Sequence, residues 1–187
     1  MNTPAHVLVA AAALAKPDAP KRNWIIAAGA LLPDAWMFVF FAWAQFSGLS
    51  PSETWNEAYW SEPWQTIGAI FNSVPLALLI LSIGFIWKRE LVALFALALL
   101  THAALDFPLH ADDAHRHFWP LSDWRFISHI SYWDRDHNIV AGMMAEGLCL
   151  ILAAIALWRR FDARWVRIRA AGLAALYVVA ALIRLSN

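Results

Sequence analysis

This 187-residue chain predicts an all-α, polytopic membrane fold: five transmembrane helices preceded by a short N-terminal half-helix. Three observations lead there. Hydrophobic residues make up 61% and charged residues 15%, with mean hydropathy +0.52, whereas a water-soluble domain carries about 25% charged residues. The apolar runs are long and lack the period-two alternation of strands, so helices are expected. Trp24, Trp64, Trp87 and Trp158 stand at run ends, where an amphipathic ring meets the membrane interface.

The expected spans are 24–46, 64–87, 91–106, 139–158 and 169–185. The first contains Pro33-Asp34, the second contains Asn72 and Pro75, and the third is short. Residues 4–15 form an apolar run of about 12 residues, too short to cross a bilayer as a helix. No positive charge precedes that run and Lys16, Lys21 and Arg22 follow it, so it is expected to be retained rather than cleaved as a signal peptide. The whole chain, 1–187, reads as one helical membrane domain with an extramembrane loop at 107–137.

Basic residues orient it. Lys16, Lys21 and Arg22, then Lys88 and Arg89, then Arg159, Arg160, Arg164, Arg167 and Arg169 fall on one side when five spans are threaded. The positive-inside rule makes that side, with the N-terminus, cytoplasmic. In a bacterial inner membrane the 107–137 loop is then periplasmic. A formal net charge of zero gives no general attraction for nucleic acid. The single Cys149 excludes an intrachain disulfide and a cysteine-based zinc site.

Against this apolar background, residues 100–137 hold six of the seven histidines and six aspartates: Asp106, Asp112, Asp113, Asp123, Asp134 and Asp136. Ionisable groups within spans are costly and point to function. With the half-helix turning back at 16–23, where Pro17 and Pro20 break helices, His6 and Asp34 lie at matching depth, ~15 Å from the turn. His102, Glu146 and Asn72 fall near the same level. For Asn72 a helix–helix hydrogen bond is the simpler role.

His102 and Asp106 are one helical turn apart on one face and can point at one ion. His110 continues the spacing, but Pro108 intervenes. Imidazoles and carboxylates without thiolates suit zinc, with manganese or iron as alternatives. Asp112, Asp113, His115 and His117 either complete that site, form a second, or belong to a solvated acidic loop. Arg116 and Arg125 either clamp a phosphate or pair with Asp123, Asp134 or Asp136 to shape the loop. Trp119, Trp124 and Trp133 are expected to anchor it at the membrane surface.

Several pieces in order resemble the bacterial membrane-bound, predicted metal-dependent hydrolases described as LexA-regulated inner-membrane proteins. They are Thr3-Pro4-Ala5-His6, Gly29-Ala30-Leu31-Leu32-Pro33-Asp34, His102-x-x-x-Asp106, the run from Trp119-Pro120 to Arg125-Phe126, and an aspartate at 134 or 136. Together they cover about residues 3–140. The resemblance implies a multi-span helical protein that binds a divalent metal for hydrolysis, with His6, Asp34, His102 and Asp106 as ligands. Asp34 is followed by Ala35-Trp36 where members carry a second acidic or histidine position, and the loop carries an additional His/Asp-rich insertion at 111–117. A looser likeness to zinc-dependent phospholipase C suggests phosphodiester chemistry.

The leading expectation is therefore a metal-dependent hydrolase acting on a lipid-linked or membrane-proximal ester or phosphoester. Glu146 or Asp113 would serve as general base, and Arg116 or Arg125 would hold the anionic group. The alternative is a non-catalytic accessory or assembly subunit of a membrane complex, its polar residues serving as interhelical bonds. A third possibility is an ion or proton conduit through Asp34, His102, Asp106 and Glu146.

Overall fold

A computed structural model describes residues 1–186; 71% of the chain is helical, with no strand among the described residues. Helix α1 (Thr3–Leu14) starts with Pro4 in its first turn, where a missing N–H costs nothing. It pairs with α2 (Pro20–Phe46) through a turn locked by Asn23, whose side chain accepts from the Lys16 N–H and donates to the Lys16 carbonyl. Arg22 donates to the Leu14 carbonyl at 3.2 Å, which satisfies an end group of α1, and also pairs with Glu90.

After α2 come a single turn, α3 (Pro51–Glu53), and a π-helical turn, Thr54–Ala58. The expected second span is two helices, α4 (Glu62–Phe71) and α5 (Val74–Ile86). Asn72 and Ser73 make the break. The Ser73 hydroxyl caps α5 by accepting from the Leu76 N–H, and the Asn72 side chain donates to the Gly68 and Pro33 carbonyls. The freed Val74 N–H donates to the His117 carbonyl at 2.8 Å, so the break is where the long loop docks.

Helix α6 (Glu90–Asp106) lies inside the molecule, packed against α5, α2 and α1. Its alanines allow close approach: a Cβ on Gly29 of α2 would lie 2.5 Å from the Phe95 carbonyl oxygen. Helix α7 (Ile139–Arg160) packs against α1 and against α8 (Arg164–Ser186).

Four helical stretches are long and apolar enough to cross a membrane: Pro20–Phe46, Glu62–Ile86, Ile139–Arg160 and Arg164–Arg184. The expected five spans are thus met in four. Helix α6 has 17 residues, ~25 Å at 1.5 Å per residue, against a hydrocarbon core of ~30 Å. Its main neighbours are α5, α2 and α1. At the run ends Trp24, Trp87 and Trp158 are exposed, as the sequence led us to expect, but Trp64 packs edge-on against Phe40 at 5.2 Å.

The segment between α6 and α7 has no helix, yet it is folded onto the helix ends. The Ser128 N–H donates to the His110 carbonyl, Tyr132 N–H to Leu109 and Ser131 N–H to His137. Gly142 in the first turn of α7 admits this layer, since a Cβ there would sit 2.2 Å from the Ser131 oxygen.

Candidate metal centre

Three helices and the loop converge on one buried cluster. Helix α1 brings His6, α2 brings Asp34 directly after Pro33, and α6 brings His102 and Asp106. The loop adds His110, Asp113 and His115. Ligand atoms of His6, Asp34 and His102 lie within 4.8 Å of one another, as do those of Asp106, His110 and His115.

Asp106 lies between the two groups and is 1% exposed. Its Oδ2 is 2.9 Å from His102 Nε2; its Oδ1 is 2.9 Å from His6 Nε2 and 3.2 Å from His110 Nε2. The Met1 amino nitrogen also reaches Oδ1, at 2.6 Å. The His6 and His102 rings stack at 3.5 Å with an 11° interplanar angle, which sets their edges side by side. His102 Nε2 also lies 3.5 Å from Asp34 Oδ1.

Second contacts orient the imidazoles. His102 Nδ1 lies 2.8 Å from the Ala30 carbonyl oxygen, which can only accept, so Nδ1 carries a proton and Nε2 is turned toward the cluster. His110 Nδ1 faces Asp113 Oδ2 at 2.8 Å, and His117 Nδ1 faces the Asn72 carbonyl at 3.1 Å. A histidine held through one nitrogen by a carbonyl or carboxylate, with the other turned inward, has the geometry of a metal ligand.

Buried polar atoms nearly always find hydrogen bonds. Here His6 Nδ1 and Nε2, His102 Nε2, Asp34 Oδ2 and Asp113 Oδ1 are buried without one. The short approaches of His6 and His102 to Asp106 are therefore not well-directed hydrogen bonds, whereas the Met1 amino group does donate to Asp106. Lone pairs crowded around shared space fit a divalent cation, and the all-nitrogen-and-oxygen donor set fits zinc, manganese or iron.

In the loop, burial and then the His110 charge push the His115 imidazole down to about 3. Burial also pulls His110 down, but the Asp106 charge and the hydrogen bonds that His110 donates to Asp106 and Asp113 raise it to about 9. Burial drives the Asp113 carboxyl up; the hydrogen bond and charge of His110, with the Trp133 N–H, outweigh it and hold Asp113 below its usual value.

Above the cluster opens a cavity of about 720 Å³. Asp34, His110, Asp113 and His115 line its polar side, and Trp55, Tyr59, Trp60 and Trp133 are among its aromatic walls.

Other expected site residues take different places. Both Glu146 oxygens are engaged: Oε1 accepts from the Asn2 N–H at 2.7 Å, and Oε2 accepts from the Tyr177 hydroxyl at 3.1 Å. Glu146 thereby fixes the start of α1 and does not line the cavity. Arg116 pairs with Glu62 and Asp123 at 3.1 Å, and Arg125 donates to the Ala114 carbonyl and Gln65. Of the two roles open to these arginines in the sequence, the geometry favours bracing the loop against α4. His117 lies beside His115, ring centroids 5.7 Å apart, but joins neither three-residue group.

Sequence reasoning passed over a third group, Asp112, Asp134 and His137. The Asp134-x-x-His137 spacing was its signal, and His137 Nδ1 bonds Asp134 Oδ2 at 2.7 Å. It also passed over Asn2 and Tyr177, whose partners lie far away in the chain. The fold and site together define a helical protein with membrane-spanning features and a buried His/Asp cluster. No family model, curated protein or solved structure matches the chain.

Proposed function

We propose that this protein is a membrane-embedded metal-dependent hydrolase acting on a lipid-linked or membrane-proximal ester or phosphoester. The observation that carries the reading is the Asp106 carboxylate set among His6, His102 and His110, with buried nitrogens and oxygens around it that lack hydrogen bonds. The motif resemblance to membrane-bound hydrolases points the same way. His6, Asp34, His102 and Asp106 would hold a divalent ion, zinc in the first instance, with His110 and His115 extending the donor set through Asp106.

Such an ion supplies Lewis acidity and a water of near-neutral pKa. The chain's own part is to orient and to move protons. Asp113 lines the cavity and keeps Oδ1 free of partners, which suits it better than Glu146 to take a proton from water as the water oxygen bonds to the ester centre. The bond from the ester centre to the alcohol oxygen breaks, and the proton that Asp113 took passes to that oxygen, so the alcohol leaves neutral. The aromatic wall and the loop braced by Arg116 and Arg125 restrict bulk water.

In this reading α6 crosses as a fifth, protein-wrapped helix. The basic clusters then face the cytoplasm, and the cavity opens toward the periplasmic side of a bacterial inner membrane.

The test is a screen of aryl phosphoesters and carboxyl esters in lipid nanodiscs, with and without chelator. Chelator-sensitive turnover that Asp34→Ala abolishes and Leu121→Ala keeps would support the proposal. An inert wild type loaded with zinc, manganese or iron in turn, with Asp34→Ala disrupting only a co-purifying complex, would favour the accessory-subunit alternative.

A further inference from the structure

The cavity over the cluster also opens sideways. Two apolar grooves leave it, one on each side of the first turn of α1. The first, about 590 Å³, runs between α1, α2 and α8 along Val7, Leu8, Ala11, Leu31 and Leu173. It joins the cavity at Asn2, Thr3 and Phe38. The second, about 660 Å³, follows α1, α7 and α8 along Ala5, Met143, Leu150, Leu176 and Ala180, and joins the cavity at Asn2 and Tyr132.

Polarity is graded along both. In the first groove the polar lining residues, Asn2 and Thr3, are at the cavity end. In the second, Arg184 stands near the loop, where it donates to the Trp133 carbonyl, while the Tyr177 hydroxyl is turned away onto Met143 and Glu146. Leu31, Phe38 and Leu176 are exposed at 41%, 62% and 68% on helices long and apolar enough to cross a membrane. A ligand in these grooves therefore has hydrocarbon and not water beside it.

We propose that the occupant is one two-chain glycerophospholipid, with its phosphate over Asp34, His110 and His115 and one acyl chain in each groove. The headgroup assignment rests on reading the cluster as a metal centre. Two grooves of similar size diverge from one polar residue, Asn2, and a glycerolipid branches in the same way. A single-chain lipid fills one groove and leaves the other empty. No Lys or Arg side chain lines the cavity; the Met1 amino group and His110 do, beside Asp34, Asp112 and Asp113, so a divalent ion in the cluster would add to the positive charge that a phosphate meets there.

The experiment is native mass spectrometry of the full chain in detergent, with metal content read from the same spectra. The probes are dioleoyl phosphatidylglycerol and its single-chain lyso form. The two-chain lipid should bind one per chain, at least about tenfold tighter than the lyso form, because a second buried chain adds many methylenes. Leu31→Trp in the first groove and Ala180→Trp in the second should each bring the two-chain lipid down to the lyso level. Bound metal and lyso binding should stay unchanged in both variants. Equal binding of the two lipids, or variants without effect, overturns the proposal. So does a dimer that the tryptophans abolish, which would make the grooves an interface between copies. A metal-free wild type that keeps the two-chain preference upholds the groove assignment and overturns only the metal reading.

Discussion

Asp106 is the residue on which the site turns: a fully buried carboxylate with the His6, His102 and His110 imidazoles and the Met1 amino group gathered around its two oxygens. Asp113 works one step out, holding His110 by Nδ1. Replacing it, Asp113→Asn, should weaken metal binding about 10- to 100-fold, as loss of an orienting carboxylate does, with little change in thermal stability; competition with a fluorescent chelator measures it. The outer loop offers a pH test away from the cluster. The hydrogen bond to Asp134 raises His137 above its usual value, and the Asp136 N–H together with His137 lowers Asp134. The His137 contribution is complete below about pH 6.5 and is lost as pH rises through its raised pKa. The Asp134 contribution is complete above about pH 4 and is lost as pH falls through its lowered pKa. An NMR titration should show His137 deprotonating later than a free imidazole in wild type and closer to the ordinary value in Asp134→Ala. His102 and Asp106 were legible at this scale because one helical turn separates them. The Ala30 carbonyl that sets the His102 tautomer was not, since no pattern links residues 72 positions apart.

At the scale of elements, α1 carries His6 and is itself held from outside. Glu146 on α7 and Tyr177 on α8 fix its first residue through Asn2. Glu146→Ala leaves the Asn2 N–H without its partner, at a cost of about 1–3 kcal/mol, and lets α1 shift. The expected result is a lower melting temperature together with weaker metal binding, whereas Asp113→Asn shows the second effect alone. Gly142→Ala should be destabilising by about 1–3 kcal/mol, because the new Cβ meets the Ser131 carbonyl oxygen and backbone must move; thermal melts in detergent read it. The matching depths of His6 and Asp34 followed from counting residues on each side of a proline-marked turn, and that arithmetic placed them in one cluster. The same counting put Glu146 near that level but gave no direction around α7, so its engagement with Asn2 was invisible. Asn72 and Pro75 marked the second span as irregular. Its division into α4 and α5 depended on the incoming loop and its His117 carbonyl.

For the whole molecule, apolar run length and terminal tryptophans predicted an all-helical chain and located its long helices. They led to five spans where four helices reach spanning length, since α6, packed against α1, α2 and α5, has 17 residues. The proposed arrangement puts Lys88 and the 107–137 loop on opposite sides. In a Cys149→Ser background, a cysteine at Leu121 should react with an impermeant maleimide in intact cells, and one at Lys88 only after permeabilisation. Equal labelling of both in intact cells would contradict that topology. The central claim is that three helices and a loop meet to bind a metal, and metal content tests it most directly. Elemental mass spectrometry on folded, detergent-purified protein should find near-stoichiometric zinc, manganese or iron in wild type, lost in Asp34→Ala and His102→Ala at matched folding. A well-folded wild type that binds none of these ions, even after incubation with each, would contradict the account.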